Sequence, residues 1–412
     1  MSKSGEYKNK TKRFCAVVVG ITFFLAGIFK LSDPVGAGLV VKEYFGFFHT
    51  GFLDFAAKPA AVIMALAETI IGAALITGIW RRLTAYVTSA FIAFFTFITI
   101  ILAIANPTME CGCFGEVIHL THLETVVKNI ILCLLSAWAF IPYRDLGRPK
   151  KSKYVSFSLV AFAVLLFTLN SMLSIPLVDF TPFDIDSELL SSQNGTDEDF
   201  DDSVTTFIYE KNGVEGSFTL DHLPDSTWKY VRRQVLERNE PDNGININIL
   251  SFSDAAGNYQ DELASKGKVM IISSYYPDNI KKNRWNKIAG FIENSSAAGF
   301  RTLFLCASTP GNLEKALSSH NINTKDKNII LMSAYFADFK TLISLNRSNG
   351  GATYYYQGEL IRKWAVRTLP DKNKLKNVSD ADQTDLMMKE SNKGRMLSQS
   401  FLLYVFAIMI FI

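Results

Sequence analysis

The sequence predicts a membrane bundle of α-helices joined to a soluble α/β domain. Three observations predict it: 49% hydrophobic residues with 32 Phe in a chain of 412, five apolar runs of span length, and a shift to soluble composition after residue 176. A helix needs about 20 mainly apolar residues to cross the hydrocarbon core, and this composition is too apolar for a single soluble domain. The formal net charge of +3 is close to balanced, and no basic patch interleaved with aromatics occurs, which argues against a nucleic-acid partner.

The expected spans are 14–31, 59–80, 83–105, 123–142 and 154–175. The first four make a four-helix domain over 1–145, and the fifth helix covers 154–176. A basic segment precedes the first span as in a signal peptide. Gly27-Ile28-Phe29-Lys30 stands where a small-residue cleavage site would be needed, so an uncleaved anchor is expected. Lys30 is expected to snorkel toward the outer surface. A sixth apolar run, 396–412, follows Lys389, Lys393 and Arg395 and has nothing basic after it. That charge placement argues against a simple outside-to-inside crossing and leaves open whether this segment spans.

Lys and Arg mark the cytoplasmic connections. Lys3, Lys8, Lys10, Lys12 and Arg13 precede span one, Arg81 and Arg82 join spans two and three, and Arg144, Arg148, Lys150, Lys151 and Lys153 join spans four and five. The connection 106–122 contains no Lys or Arg. It is therefore expected to face outward, toward an oxidising compartment, with the region after span five on the same side. A multi-pass protein of a bacterial inner membrane, its soluble part in the periplasm, is the expected arrangement.

That outward connection carries Cys111-Gly112-Cys113-Phe114-Gly115. Two thiols spaced i, i+2 about a glycine can approach to disulfide distance in a small, readily reduced ring. Cys111 and Cys113 are the expected redox dithiol, with neither assigned as nucleophile. The start of span four, near 120–123, would lend some positive potential, and Glu110 and Glu116 oppose it. A purely structural disulfide is an alternative. So is a metal site, because Cys111, Cys113, His119 and His122 supply the ligand number of tetrahedral zinc, or a Cys-x-Cys pair for Cu(I). Cys15, Cys133 and Cys306 sit alone in apolar runs and read as inert hydrophobes.

Glu68 and Lys128 fall inside spans two and four. Intramembrane charges are costly and normally paired, so they are expected to contact each other, as a structural pair or in a proton or quinone role. No cofactor is required by the residues.

From 177 to 245 come an acidic linker around 184–202 and a hairpin of 205–209 with 216–220. Over 246–370 strands are expected at 247–252, 269–273, 302–307, 329–332, 352–356 and 360–364, and helices at 281–298, 312–320 and 337–345. Strand–helix alternation closed by a hairpin is the order of a thioredoxin-like domain. Trp285, Trp364 and Tyr354-Tyr355-Tyr356 are expected in its packing.

The first 145 residues resemble the DoxX-like membrane family, in the branch of the methylamine utilisation protein MauE. Arg13, Ala26 to Leu31, Glu68, Arg81-Arg82 and Asn106-Pro107 leading into Cys111 to Gly115 carry the resemblance. With 176–183 after span five and Ser348-Asn349-Gly350-Gly351 before the closing hairpin, the whole chain is similar to DoxX-type proteins of Bacteroidetes that carry an extracytoplasmic thioredoxin-like domain. The resemblance implies a four-helix bundle that helps form or maintain disulfides in exported proteins, with extracytoplasmic thiol proteins or a thioredoxin-like partner. Whether the chain is itself a thiol–disulfide oxidoreductase or a non-enzymatic assembly factor stays open. One departure stands out: 274–282 lacks the Cys-x-x-Cys pair, and Gly350-Gly351 replaces the usual proline.

Overall fold

The structure is a computed structural model. It describes residues 3–105, 107, 109, 111–115, 117–118, 120–141, 149–176, 178–185, 205–211, 214–219, 229–235 and 250–411. The chain divides into two compact units, Glu188–Ile249 and the remainder.

The larger unit begins with α1 (Lys3–Ser32), α2 (Pro34–Phe47), a 3₁₀ turn Gly51–Ala56, α3 (Ala57–Thr77), α4 (Arg81–Ala105), α5 (His122–Phe140) and α6 (Lys151–Leu173). Five helices, Asn9–Ser32, Gly51–Thr77, Arg81–Ala105, His122–Phe140 and Lys151–Leu173, are long and apolar enough to cross a membrane. They form the helical bundle of a multi-pass membrane protein. Glycines let α1 and α3 touch: a Cβ on Gly27 would lie 2.2 Å from Thr69 Oγ1, and one on Gly72 2.4 Å from the Phe24 nitrogen. Close backbone approach of this kind is how apolar helices gain contact without a solvent-driven force. Phe24, Ile28 and Leu31 then join Val160 and Val164 of α6 in one buried cluster. At the far end Arg13 donates to the carbonyls of Leu75 and Ile76, closing the last turn of α3.

The smaller unit is a three-stranded antiparallel sheet, β1 (Thr205–Lys211), β2 (Val214–Thr219) and β3 (Lys229–Val235), in the order β2-β1-β3. The expected hairpin is present with Phe207 opposite Phe218, and β3 adds a strand that was not expected. The acidic linker, from 186 onward, lies outside the described residues, as do 246–249 of the strand expected at 247–252.

The α/β part of the larger unit runs β4 (Phe252–Ser253), α7 (Glu262–Ser265), β5 (Lys268–Ser274), α8 (Lys282–Ala297), β6 (Arg301–Cys306), α9 (Pro310–Ser319), α10 (Thr324–Met332), β7 (Ala334–Ala337), α11 (Phe339–Leu345), β8 (Gly351–Tyr356), β9 (Glu359–Trp364), α12 (Lys372–Asp380) and α13 (Gln383–Phe411). Its sheet order is β4-β7-β6-β5-β8-β9, with β5, β6 and β7 parallel and β8, β9 and β4 antiparallel. This mixed sheet is compatible with a thioredoxin-like domain. Trp285, Tyr354, Phe304 and Trp364 lie in its core, and Tyr355 is fully buried as well.

One expectation about an element is corrected, and the last apolar run, left open in the sequence, is placed. Residues 329–332 are not a strand; they end α10, which Asn323 starts by accepting from the Asp326 nitrogen, and the strand is β7, just beyond. A four-residue apolar run does not discriminate helix from strand. The last apolar run is the end of the 29-residue α13, which lies antiparallel to α6: Phe401 stacks on Phe167, and Ser156 donates to the Ile408 carbonyl at 2.8 Å. Lys153 reaches the carbonyls of Met409 and Ile410, so the basic partner of this helix end comes from α6.

The helix α2 was not expected at all. Asp33 starts it, its Oδ1 accepting from the nitrogens of Val35 and Gly36 ahead of Pro34 in the first turn, a cap worth about 1 kcal/mol. The other oxygen, Oδ2, accepts from Arg347 Nε of the α/β part at 2.8 Å, and both side chains are under 10% exposed. Lys363 with Asp179 at 2.6 Å makes a second buried pair in the same unit.

Candidate functional site

The thiol loop crosses one end of the bundle between α4 and α5. Gly112 and Gly115 adopt φ of +58° and +63°, and the Gly115 nitrogen donates to the Gly112 carbonyl at 3.2 Å, so the loop folds back on itself. A side chain is excluded at Gly112 because its Cβ would lie 2.3 Å from Val40 Cγ1 of α2. Tyr44, one turn further along α2, donates to the Cys111 carbonyl at 2.5 Å. Between them these contacts hold the loop against α2, an element for which Asp33-Pro34 was the available sequence signal.

Cys111 and Cys113 are present as thiols with their sulfurs 3.3 Å apart. Cys111 is 3% exposed, and Cys113 is half-buried. The pair is electrostatically divided. Cys113 is lowered to about 5, first by the hydrogen bond from Cys111 and then by the ammonium groups of Lys128 and Lys30, which together outweigh the effect of burial. Cys111 is pushed far up as the donor of that bond and by burial. Lys128 and Lys30 supply positive potential at Cys113, and at the start of α5 Thr121 and Glu124 form a capping box. Glu110 and Glu116 lie outside the described residues.

The expected contact of Glu68 with Lys128 is replaced. Glu68 binds Lys30, whose Nζ lies 2.8 Å from both carboxylate oxygens. The tight crossing of α1 on α3 at Gly27 and Thr69 explains this, because Lys30 is one turn from Gly27 and Glu68 adjoins Thr69. Lys30 therefore does not snorkel; its side chain is 11% exposed. Lys128 instead turns to the thiol loop, with Nζ 5.0 Å from the Phe114 ring centre. One step along α5, Asn129 donates to Thr99 Oγ1 of α4 at 3.0 Å.

Of the alternative metal ligands, His119 lies outside the described residues, and His122 places Nε2 3.2 Å from the Pro107 carbonyl. Among the described residues no group of three or more His, Cys, Asp or Glu could hold a metal ion. Cys15 and Cys133 pack partly buried against the core of α1, α4 and α5, and Cys306 is fully buried at the end of β6.

The loop after β5, which has no cysteine at 274–282, is held instead by Asn349. Asn349 Oδ1 accepts from the nitrogens of Tyr275 and Tyr276, and its Nδ2 donates to the Tyr276 carbonyl at 2.7 Å. Gly350 donates its own nitrogen to the Ser273 carbonyl at 2.7 Å, a bond that a proline there could not make. Tyr276 in turn meets Lys42 of α2, Nζ to hydroxyl, at 3.3 Å.

Residues 8–142 match the family model of the methylamine utilisation protein MauE, and residues 203–237 match that of a domain of unknown function. No curated protein and no solved structure matches the chain. The segment holding α1 to α5 and both thiols is thus similar to the MauE family.

Proposed function

We propose that this protein is an inner-membrane thiol–disulfide exchanger that serves the formation or maturation of exported proteins, with Cys113 as attacking thiolate and Cys111 as resolving thiol. The observation that carries the reading is the 3.3 Å contact between the two sulfurs, with Lys128 and Lys30 acting on Cys113. The thiolate is the nucleophile of exchange. Cys113 attacks one sulfur of a partner disulfide and releases the other as a thiolate. Cys111 then loses its proton and attacks Cys113 Sγ, so the Cys111–Cys113 bond forms as the partner's second thiolate leaves. Run in reverse, the same steps give a disulfide to an exported dithiol.

On this reading the thiol end of the bundle faces the periplasm. The N-terminal basic residues lie at the opposite end, where Arg13 meets the end of α3 and Lys12 the Ile141 carbonyl, in agreement with the positive-inside rule. The α/β part, read as a thioredoxin-like domain of a DoxX-type fusion, has no cysteine in its loop at 274–282. It acts as a docking module seated on α2, and the dithiol of the bundle does the chemistry. Thiol trapping of the full chain across a redox series tests this. An exchanger shifts from dithiol to disulfide at mild potential, and Cys113→Ser abolishes mixed disulfides with a model substrate. A bond that stays oxidised until strongly reducing conditions would show a structural disulfide instead.

A further inference from the structure

We propose that the cavity at the end of the bundle opposite the thiols binds the phosphodiester group of an anionic lipid. It is a site separate from the Cys111/Cys113 pair and does not depend on the exchange reading above.

The cavity has a volume of about 220 Å³ and is walled by α1, α3, α4 and α5. That is roughly seven times the volume one water takes in the liquid, room for a phosphate group with its ester oxygens. Its level in the bundle is fixed by the helices. The span of α3 ends at Thr77, that of α4 begins at Arg81 and that of α5 ends at Phe140, and Gly78, Arg81 and Phe140 line the cavity. Lipid headgroups lie where spans end. Trp80 and Trp138, exposed and next in sequence to Arg81 and Ala139 of the wall, suit that interface. Ala16, Leu75 and Ile79 add apolar surface to the wall, which suits the glycerol carbons of a lipid and gives nothing to a free phosphate ion.

The sign of the ligand's charge follows from the side chains. Lys12, Arg13 and Arg81 line the cavity, and no Asp or Glu is among the described residues of its wall. Arg13 Nη1 donates to the Leu75 carbonyl at 2.6 Å and Nη2 to that of Ile76, while Lys12 donates to the Ile141 carbonyl. These acceptors are neutral oxygens, so they fix the two cations without cancelling their charge. Two such bonds do not use all five N–H donors of a guanidinium. Gly78 makes room for the arrangement: its φ is +76°, and a Cβ there would lie 3.0 Å from Arg13 Nη1. Arg81, whose Nε donates to the Gly78 carbonyl at 3.0 Å, acts on Arg13 as a like charge, and an anion held by both replaces that repulsion with attraction. Guanidinium groups match phosphate oxygens in geometry, and basic pockets between membrane helices take acidic headgroups. A zwitterionic headgroup brings its own cation to the cavity and loses this gain.

The test uses the full chain in detergent, titrated with phosphatidylglycerol or with phosphatidylcholine of the same acyl chains, and bound lipid is counted by native mass spectrometry. Inorganic phosphate at matched ionic strength is the competitor. Asn9 lines the cavity and is exposed, so Asn9→Glu adds a negative charge there without disturbing the core, and Asn9→Gln is its neutral control. Lys12→Gln removes one cation. Expected are one saturable phosphatidylglycerol per chain, weaker uptake of phosphatidylcholine, and no displacement by inorganic phosphate. Asn9→Glu and Lys12→Gln should each weaken binding about fivefold, the usual worth of one basic side chain beside anionic lipid, while Asn9→Gln binds as the unsubstituted chain does and all three keep its helical circular dichroism. Absence of a saturable adduct, or unaltered affinity in either Asn9→Glu or Lys12→Gln, overturns the site. Equal binding of phosphatidylcholine overturns the charge argument, and displacement by inorganic phosphate overturns the lipid as the source of the phosphate.

Discussion

The ionisation of Cys113 can be read from the pH dependence of its alkylation. With Cys15, Cys133 and Cys306 replaced by Ala, the reduced chain retains Cys111 and Cys113, and iodoacetamide uptake at each is followed by mass. A thiol lowered to about 5 is half ionised at that pH, whereas an unperturbed thiol near 8.5 has only about 0.03% thiolate there. The gain in thiolate is about 1,600-fold. A less basic thiolate is a weaker nucleophile, and a Brønsted coefficient of 0.4–0.5 over about 3.5 units removes about 40-fold of it. Cys113 should therefore react about 40 times faster than an ordinary cysteine at pH 5. The sign follows from the acid form: the thiolate is present above the lowered value and lost as pH falls through it, so the rate is flat from pH 6 to 9 and halves near 5. Lys128→Met removes a nearby ammonium and should move the midpoint upward, with Lys128→Arg restoring it. A Cys113 rate that climbs tenfold per pH unit from 6 to 8 would refute the division of roles between the two sulfurs.

Three other outcomes follow from the same geometry. Gly112→Ala, which puts a Cβ 2.3 Å from Val40 at a φ of +58°, should lower the thermal midpoint and change Cys113 alkylation, and Val40→Ala should recover part of both; an unaltered midpoint and rate would show that α2 does not brace the loop. Arg347→Met leaves Asp33 buried without its 2.8 Å partner, a loss of about 3–5 kcal/mol by comparison with other broken buried pairs, to be read as denaturant midpoint in detergent against Arg347→Met/Asp33→Asn, which should regain part of it. Cys306, fully buried and pushed up to about 12 chiefly by burial, should resist alkylation at pH 8 until the α/β part unfolds, and Cys306→Ala should leave redox behaviour unchanged.

The spans, the α/β alternation and the thiol pair were legible in the sequence because each rests on local pattern: about 20 apolar residues, a period of two or 3.6, a glycine between two cysteines. Three features were decided by the tertiary structure. Glu68 pairs with Lys30 because glycine contacts bring α1 against α3, a distance that residue order does not encode. The two equivalent-looking cysteines differ in surroundings because Lys128 and Lys30 converge on Cys113. The helix α2, short and capped by Asp33-Pro34, forms one wall of a cavity beneath the thiols and meets the α/β part through Asp33 and Lys42. Charge pairing and cavity shape depend on which helix faces meet, and helices meet through packing across tens or hundreds of residues, so composition and periodicity determine the elements while packing determines the chemistry between them.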